Sequence, residues 1–180
     1  MSEKKKTIVL GVTGSIAAYK AAELCSKLSQ SGHEVHVIMT ASAVKLVTEQ
    51  TFLTLSRNQV ISSLWDIPDW KPGHISLAER AALLVIAPCT ANFIGKMASG
   101  IADDALSTYV LAHAGKVLLA PAMNPRMWAN RIVEGNCAKL KEAGIEFIGP
   151  GKGKVACGDK GEGRMSEVPE LLCRIKELLQ

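Results

Sequence analysis

Aromatic residues are scarce in this 180-residue chain, at 4%. That argues against a nucleic-acid binder that stacks bases on aromatic side chains. Charge of one sign is not concentrated: the net charge is +4, and the one dense basic run is Lys4-Lys5-Lys6, which reads as a solvated tail rather than a nucleic-acid arm. Apolar runs such as "AALLVIAP" are far too short to span a bilayer. The N-terminus is polar and the apolar run after it is strand-like and broken by glycine, so no signal peptide is read. The five cysteines form no CxxC pair, which excludes a zinc ribbon and a disulfide framework and suits free thiols in a reducing cytosol. These absences together predict a cytoplasmic protein without a membrane, nucleic-acid or metal partner.

What remains is an ordinary globular composition, 48% hydrophobic and 21% charged, long enough for a real core. No internal repeat, low-complexity segment or linker divides it, so residues 1–180 are read as one domain. Short apolar runs alternate with helical patterns. "KTIVLGVTG", "HEVHVIMT", "AALLVIAP", "KVLLAPAM" and "IEFIGP" read as strands. Between them "SIAAYKAAELCSKLSQSG" reads as a helix capped by Ser15 with Gly32 just past its end. "ASAVKLVTEQTFLTLS" is read as helical, with Ser42 near its start. "TANFIGKMASG" opens a helix, and "DDALSTYVLAHAG" is another, with Asp103 and Asp104 suited to its N-terminal dipole. "RMWANRIVEGNCAKLKEAG" reads as one helix, and "SEVPELLCRIKELLQ" as a last amphipathic helix with its capping signal at Ser166. Continuous apolar strands separated by helices predict a doubly wound α/β fold, Rossmann-like and flavodoxin-like, with a parallel sheet covered on both faces. The segment 151–166, "GKGKVACGDKGEGRMS", has five glycines and no apolar periodicity. It is read as a flexible loop that covers substrate, because long loops of this kind are usually functional.

In such sheets ligands bind beyond the carboxyl ends of the strands, so the residues that follow the strands carry the information. In "GVTGSIAAYK" a glycine turn opens a helix. It fits either an anion held on helix N–H groups or a tight strand–helix turn. The second strand ends at Thr40, Ala41 and Ser42 with no acidic residue for a ribose diol, which disfavours NAD and favours a mononucleotide. Thr90 and Asn92 open the helix of "PCTANFIGKMASG", to serve a cofactor or simply to cap it. Cys89 reads as buried packing. Asn124 of "PAMNPRMW" has an amide able to donate to a carboxylate, or to form a turn before proline. Among the histidines, His33 and His36 flank a strand and His113 lies late in a helix; only His74 sits beside a glycine turn, and a structural and a catalytic role both stay open for it.

Together, "GVTGSIAAYK", "GHISLAE", "PCTANFIGKMASGIADDALST", "PAMNPRMW" and "ACGDKGEGRM" resemble, in order and spacing, the homo-oligomeric flavin-containing cysteine decarboxylase family. The resemblance runs from about Ile8 to the last helix. It implies FMN as cofactor and assembly into a homotrimer or a dodecamer of trimers. It places Gly14, Ser15, Ile16, Ser42, Thr90, Ala91, Asn92, Phe93 and Ala122 at flavin-binding positions. His74 matches the catalytic histidine, Asn124 the residue that binds the substrate carboxylate, and Cys157 the proton-donating cysteine. Met127 and Arg164 fall to substrate binding; among the basic residues of 151–166, Arg is the type suited to oxyanions. Phe93 stands where the family usually has Thr, so a backbone contact must replace a hydroxyl there. Many bacterial relatives continue into a ligase domain, and this chain is read as the decarboxylase alone.

The resemblance implies a small-molecule substrate and an activity. This is FMN-dependent oxidative decarboxylation of phosphopantothenoylcysteine to phosphopantetheine in coenzyme A biosynthesis. Simple loss of carbon dioxide from an acylated cysteine leaves an unstabilised carbanion, so a cofactor must act as electron sink. Oxidation at the thiol-bearing carbon gives a thioaldehyde β to the carboxylate, and decarboxylation then leaves an enethiolate. His74, with an ordinary pKa of about 6.5, suits the oxidation. Cys157, with an ordinary pKa of about 8.5, holds a proton at neutral pH to give back. The alternatives are a peptidyl-cysteine decarboxylase of the same family, which stops at the enethiol, and a flavin-binding regulatory protein without enzymatic activity.

Overall fold

The computed structural model describes residues 5–65, 73–154 and 158–180, with backbone alone at 73–76 and 154. Strand β1 (Thr7–Val12) shows why the apolar runs are continuous rather than alternating. Ile8, Leu10 and Val12 face one core, and Val9 faces another. Both sets are fully buried, as in a sheet covered on both sides. The same division holds in β2 (Glu34–Met39), β3 (Leu83–Cys89) and β4 (Lys116–Pro121), and the short β5 (Glu146–Phe147) completes the sheet. All neighbours run parallel in the order β2-β1-β3-β4-β5. The order reverses between β1 and β3, and that reversal opens a crevice at the carboxyl edge. The doubly wound, flavodoxin-like expectation holds.

On one face lie α1 (Ala18–Gln30), α3 (Glu49–Ser56) and α9 (Val168–Leu178). On the other lie α4 (Gly73–Arg80), α5 (Ala91–Ser99), α6 (Ala105–Ala112) and α8 (Arg131–Glu142). Gly11 marks the closest approach on that face: a Cβ there would sit 2.7 Å from Leu106 Cδ1 of α6. Tyr109, fully buried, donates its hydroxyl to the Leu77 carbonyl at 3.3 Å and so ties α6 to α4. No helix among the described residues is long and apolar enough to cross a membrane.

Several boundaries differ from the sequence reading, each for a capping reason. Helix α1 begins at Ala18 with Ala17 as its cap residue. Ser15 lies outside and accepts the Ala17 N–H at 3.3 Å. Gly32 does follow the end, at φ +88°, the left-handed geometry that glycine tolerates. The segment 41–56 is two helices, α2 (Ala41–Val44) capped by Thr40 and α3 capped by Thr48. The stretch 126–144 is likewise two, α7 (Pro125–Trp128) and α8, because Asn130 accepts the Ile132 N–H at 2.9 Å and restarts the chain. A Thr or Asn inside an apparently unbroken helical pattern captures backbone donors and divides it. Helix α9 is capped at Glu167, one residue after Ser166, with the Glu170 carboxylate accepting the Glu167 N–H at 3.0 Å.

The largest departure is 151–166. It is no structureless loop but an antiparallel hairpin, β6 (Gly151–Lys154) and β7 (Lys160–Arg164). Its glycines are there for contact as well as freedom. Met123 N–H donates to the Gly163 carbonyl at 2.9 Å. A Cβ on Gly163 would run into the Met123 carbonyl, and one on Gly161 would lie 2.8 Å from Pro125 Cβ. The hairpin backbone therefore lies flat on the segment that follows β4. Gly163→Ala is expected to lower unfolding stability by about 1–3 kcal/mol, measured by urea denaturation; unchanged stability contradicts this packing.

Candidate active site

The segments that follow β1, β2, β3 and β4 converge on a cleft of about 590 Å³. Thr13 organises it. Its hydroxyl donates to the Pro88 carbonyl at 2.7 Å and accepts the Thr90 N–H at 3.1 Å. Its own N–H donates to Pro88 at 3.3 Å, and the side chain is buried. One residue thus clamps the end of β1 to the end of β3 where the strand order reverses. Gly14 then lies against Ser42 so closely that any Cβ would overlap the Ser42 side chain. That contact brings the β1 and β2 segments together and places Ser15 and Ser42 on the same wall.

Opposite, Thr90 caps α5 by accepting the Phe93 N–H at 3.3 Å. The first-turn amides of Ala91 and Asn92 have no partner within the helix and sit at its positive end. Capping and cleft lining are therefore the same feature at Thr90. The Phe93 side chain is buried in the core, and its N–H serves the cap. Ala122, nearly buried, is fixed by its N–H on the Cys89 carbonyl at 2.9 Å. With Met123 and Met127 it gives the cleft an apolar floor. Asn124, at the head of α7, accepts the Arg126 N–H at 2.8 Å and donates its amide to the Asp159 carboxylate at 2.9 Å. Asn124 itself is not among the residues that line the cleft; it holds the Asp159 carboxylate next in sequence to Met123, which is.

Of the expected cofactor positions, Gly14, Ser15, Ser42, Thr90, Ala91, Asn92, Phe93 and Ala122 line the cleft, and so does Met127. Ile16 does not; it stands 62% exposed outside the lining. Arg164 is also outside it, its guanidinium paired with Glu167. His74 lies on α4 by its backbone. Cys157 is outside the described residues. Cys25 and Cys89 are packing thiols: burial pushes Cys25 up to about 11 and Cys89 higher still. Cys137 is raised for the same reason. Among the described residues no group of three or more His, Cys, Asp or Glu is placed to hold a metal.

Thr13, Thr40, Ala41 and Met123 line the cleft from the strand-end segments where ligands were expected, whereas Lys96 and Asp104 were missed as lining residues. Lys96 had a signal, since it falls one helical turn after Asn92 on the same face of α5. Its ammonium lies 2.5 Å from Asp103 and 2.9 Å from Asp104. Asp104 caps α6 by accepting the Ser107 N–H at 2.8 Å. Hydrogen bonds donated to Asp103, then Asp104, hold Lys96 above the ordinary lysine value. Burial pushes Asp104 upward, but hydrogen bonds from Lys96 and Ser107 outweigh it and the group ends below the ordinary carboxylate value.

The arrangement has neutral hydroxyls and free amides on two walls, an apolar floor and one ion pair, Lys96 with Asp104. It is chemically matched to a ligand with a flat apolar ring and an oxygen-rich tail, and its volume lies in the range of small-molecule sites. A family model described as Flavoprotein matches residues 1–180. The coenzyme A biosynthesis bifunctional protein CoaBC of Haemophilus influenzae is 44% identical over 173 residues, 96% of this chain and 43% of that protein. The chain thus spans less than half the length of such bifunctional relatives. A probable phosphopantothenoylcysteine decarboxylase of Streptococcus mutans is 39% identical over 177 residues, 97% of this chain and 99% of that one. A solved mutant PPC decarboxylase complexed with pantothenoylaminoethenethiol is similar with a TM-score of 0.85 and 31% identity, over 97% of this chain and 98% of that one. The FMN-dependent cysteine decarboxylase SpaF gives 0.82 and 28%, over 99% and 96%.

Thr13→Val keeps the shape but strips the Thr90 N–H of its acceptor and the Pro88 carbonyl of one donor. It is expected to cost about 1–3 kcal/mol in urea denaturation, and an unchanged midpoint contradicts the clamp. The Lys96–Asp104 pair sets a pH window. A depressed carboxylate contributes stability that is lost as pH falls through the acid range. A raised lysine contributes stability that is lost as pH climbs through the alkaline range. The stability difference between wild type and Asp104→Asn should therefore be full at neutral pH and shrink below about pH 4. A pH-independent difference contradicts this.

Proposed function

Since this chain belongs to the Flavoprotein family, we propose that it is an FMN-dependent decarboxylase that converts phosphopantothenoylcysteine to phosphopantetheine for coenzyme A synthesis. One observation carries this reading. Asn124, its amide already engaged with a carboxylate, lies one residue beyond the Met123 floor of a cleft lined by eight of the nine expected cofactor positions. The relatives described above, a PPC decarboxylase of nearly equal length among them, support the substrate class.

The residues present fit FMN. Ser15, Ser42 and the Ala91 and Asn92 amides offer donors to a phosphate and a hydroxylated chain, and Ala122 and Met123 offer a flat apolar surface to a ring. The chemistry that FMN supplies when bound is two-electron exchange with the thiol-bearing carbon of the substrate. The chain's own residues do the rest. Asn124 exchanges the Asp159 carboxylate for that of the substrate and fixes its orientation. Met127 walls the acyl cysteine side chain. His74 takes the thiol proton. Cys157 returns a proton to the enethiolate that follows loss of carbon dioxide, and Arg164 turns from Glu167 to the phosphorylated end of the substrate.

The assembly is proposed as a homo-oligomer, a trimer or a dodecamer of trimers, in the cytoplasm. Ile16 and Tyr19, more than 60% exposed beside the β1 segment, and Leu46 beyond α2 are large apolar groups that a second copy would cover.

The test is made with variants under anaerobic conditions. His74→Asn is expected to stay yellow yet leave substrate unreacted. Cys157→Ser is expected to release carbon dioxide but give a product two hydrogens lighter than phosphopantetheine by mass spectrometry. A colourless wild-type protein, or a Cys157→Ser variant that forms saturated product at the normal rate, overturns these assignments.

A further inference from the structure

The cleft has one cation among its described lining residues, Lys96, and one anion, Asp104. An ammonium carries three N–H donors. Asp103 takes one at 2.5 Å and Asp104 another at 2.9 Å. No third partner is present among the described residues. The Lys96 side chain is 18% exposed and lines the cleft, so its remaining N–H is available to a ligand bound there. With the chain stem and two carboxylates fixing three corners of a tetrahedral nitrogen, the direction of the fourth is fixed as well. Asp104 is itself immobilised by Ser107, which is buried and donates both backbone and side-chain hydrogen bonds to it. The result is a rigid charged donor on the cleft wall.

We infer that Lys96 is a cofactor-binding residue whose remaining N–H, aimed by Asp103 and Asp104, donates to an uncharged oxygen of FMN, a ring carbonyl or a ribityl hydroxyl, rather than to its phosphate. This rests on the reading of the cleft as an FMN site. The charge count makes the choice of acceptor. One ammonium between two carboxylates leaves the cluster at net minus one, which repels a phosphate dianion at short range but accommodates a neutral acceptor. Position agrees. Lys96 lies four residues beyond Asn92, about 6 Å along α5 from the free amides that suit the phosphate. Asp103 lies outside the lining and acts through Lys96 as a positioning residue.

Apoprotein is titrated with FMN by quenching of flavin fluorescence, and the ³¹P resonance of bound FMN is recorded at saturation. Lys96→Met is expected to weaken FMN binding by about tenfold or more with the ³¹P resonance unmoved. Asp103→Asn, which keeps the ammonium but loosens its aim, is expected to weaken binding by a smaller factor. It should have no further effect in the Lys96→Met background. A Lys96→Met protein that binds FMN normally, or one no weaker than Asp103→Asn, reduces Lys96 to a tie between α5 and α6 and overturns the inference. A shifted ³¹P resonance overturns it in favour of a phosphate contact. A wild-type protein that does not bind FMN overturns both this inference and the reading beneath it.

Discussion

Thr13 carries the constraint on which the site depends. A parallel sheet whose strand order reverses leaves its two central strands with segments that turn away from each other, so something must hold the gap at a fixed width. Here one buried hydroxyl, both donor and acceptor, joins the Pro88 carbonyl to the Thr90 amide. It fixes the start of α5, and so the aim of the Ala91 and Asn92 amides. It also fixes the turn at Gly14, which lets the Ser42 segment close in. Neither a larger nor an apolar residue makes both hydrogen bonds from that space. The cleft is thus a consequence of topology, made definite by a few short polar contacts.

The second wall is built differently. The segment after β4 has little regular structure beyond α7. It is steadied from outside by the hairpin, through the Met123–Gly163 hydrogen bond, the bare backbones of Gly161 and Gly163, and the Asn124–Asp159 contact. Lys20, buried on α1, donates to Glu167 at 2.9 Å and to the Met165 carbonyl at 3.4 Å, and so anchors the hairpin's far end to the main domain. One wall is fixed from within the sheet and the other by an element laid across it. The exchange of ligands proposed at Asn124 concerns the second wall alone.

How much of this was legible in the sequence follows from which forces were local. The strands were legible because burial on both faces demands unbroken apolar runs, and β1 to β4 supply them. Most of the cleft lining was legible because strand ends in such sheets are where ligands go. The divisions at Thr48 and Asn130 were hidden, because a capping side chain inside an amphipathic pattern does not disturb its periodicity. The hairpin was hidden because its pairing is made by glycines and charges rather than alternating apolar residues, and because its glycines answer to Met123 and Pro125, about forty residues away. Lys96 was hidden by its charge: a lysine on a helix reads as solvated until Asp103 and Asp104 are seen to turn it inward. Ile16 and Arg164 were expected at the site, but they lie outside the cleft lining in a single chain.

The proposed reaction removes the carboxylate of an acylated cysteine by way of its thiol-bearing carbon. The most direct measurement is release of labelled carbon dioxide, under anaerobic conditions, from phosphopantothenoylcysteine labelled at the carboxyl carbon, set beside the same compound with serine in place of cysteine. Release is expected from the cysteine compound and none from the serine compound. Release from both, or from neither when FMN is bound, would contradict that reaction.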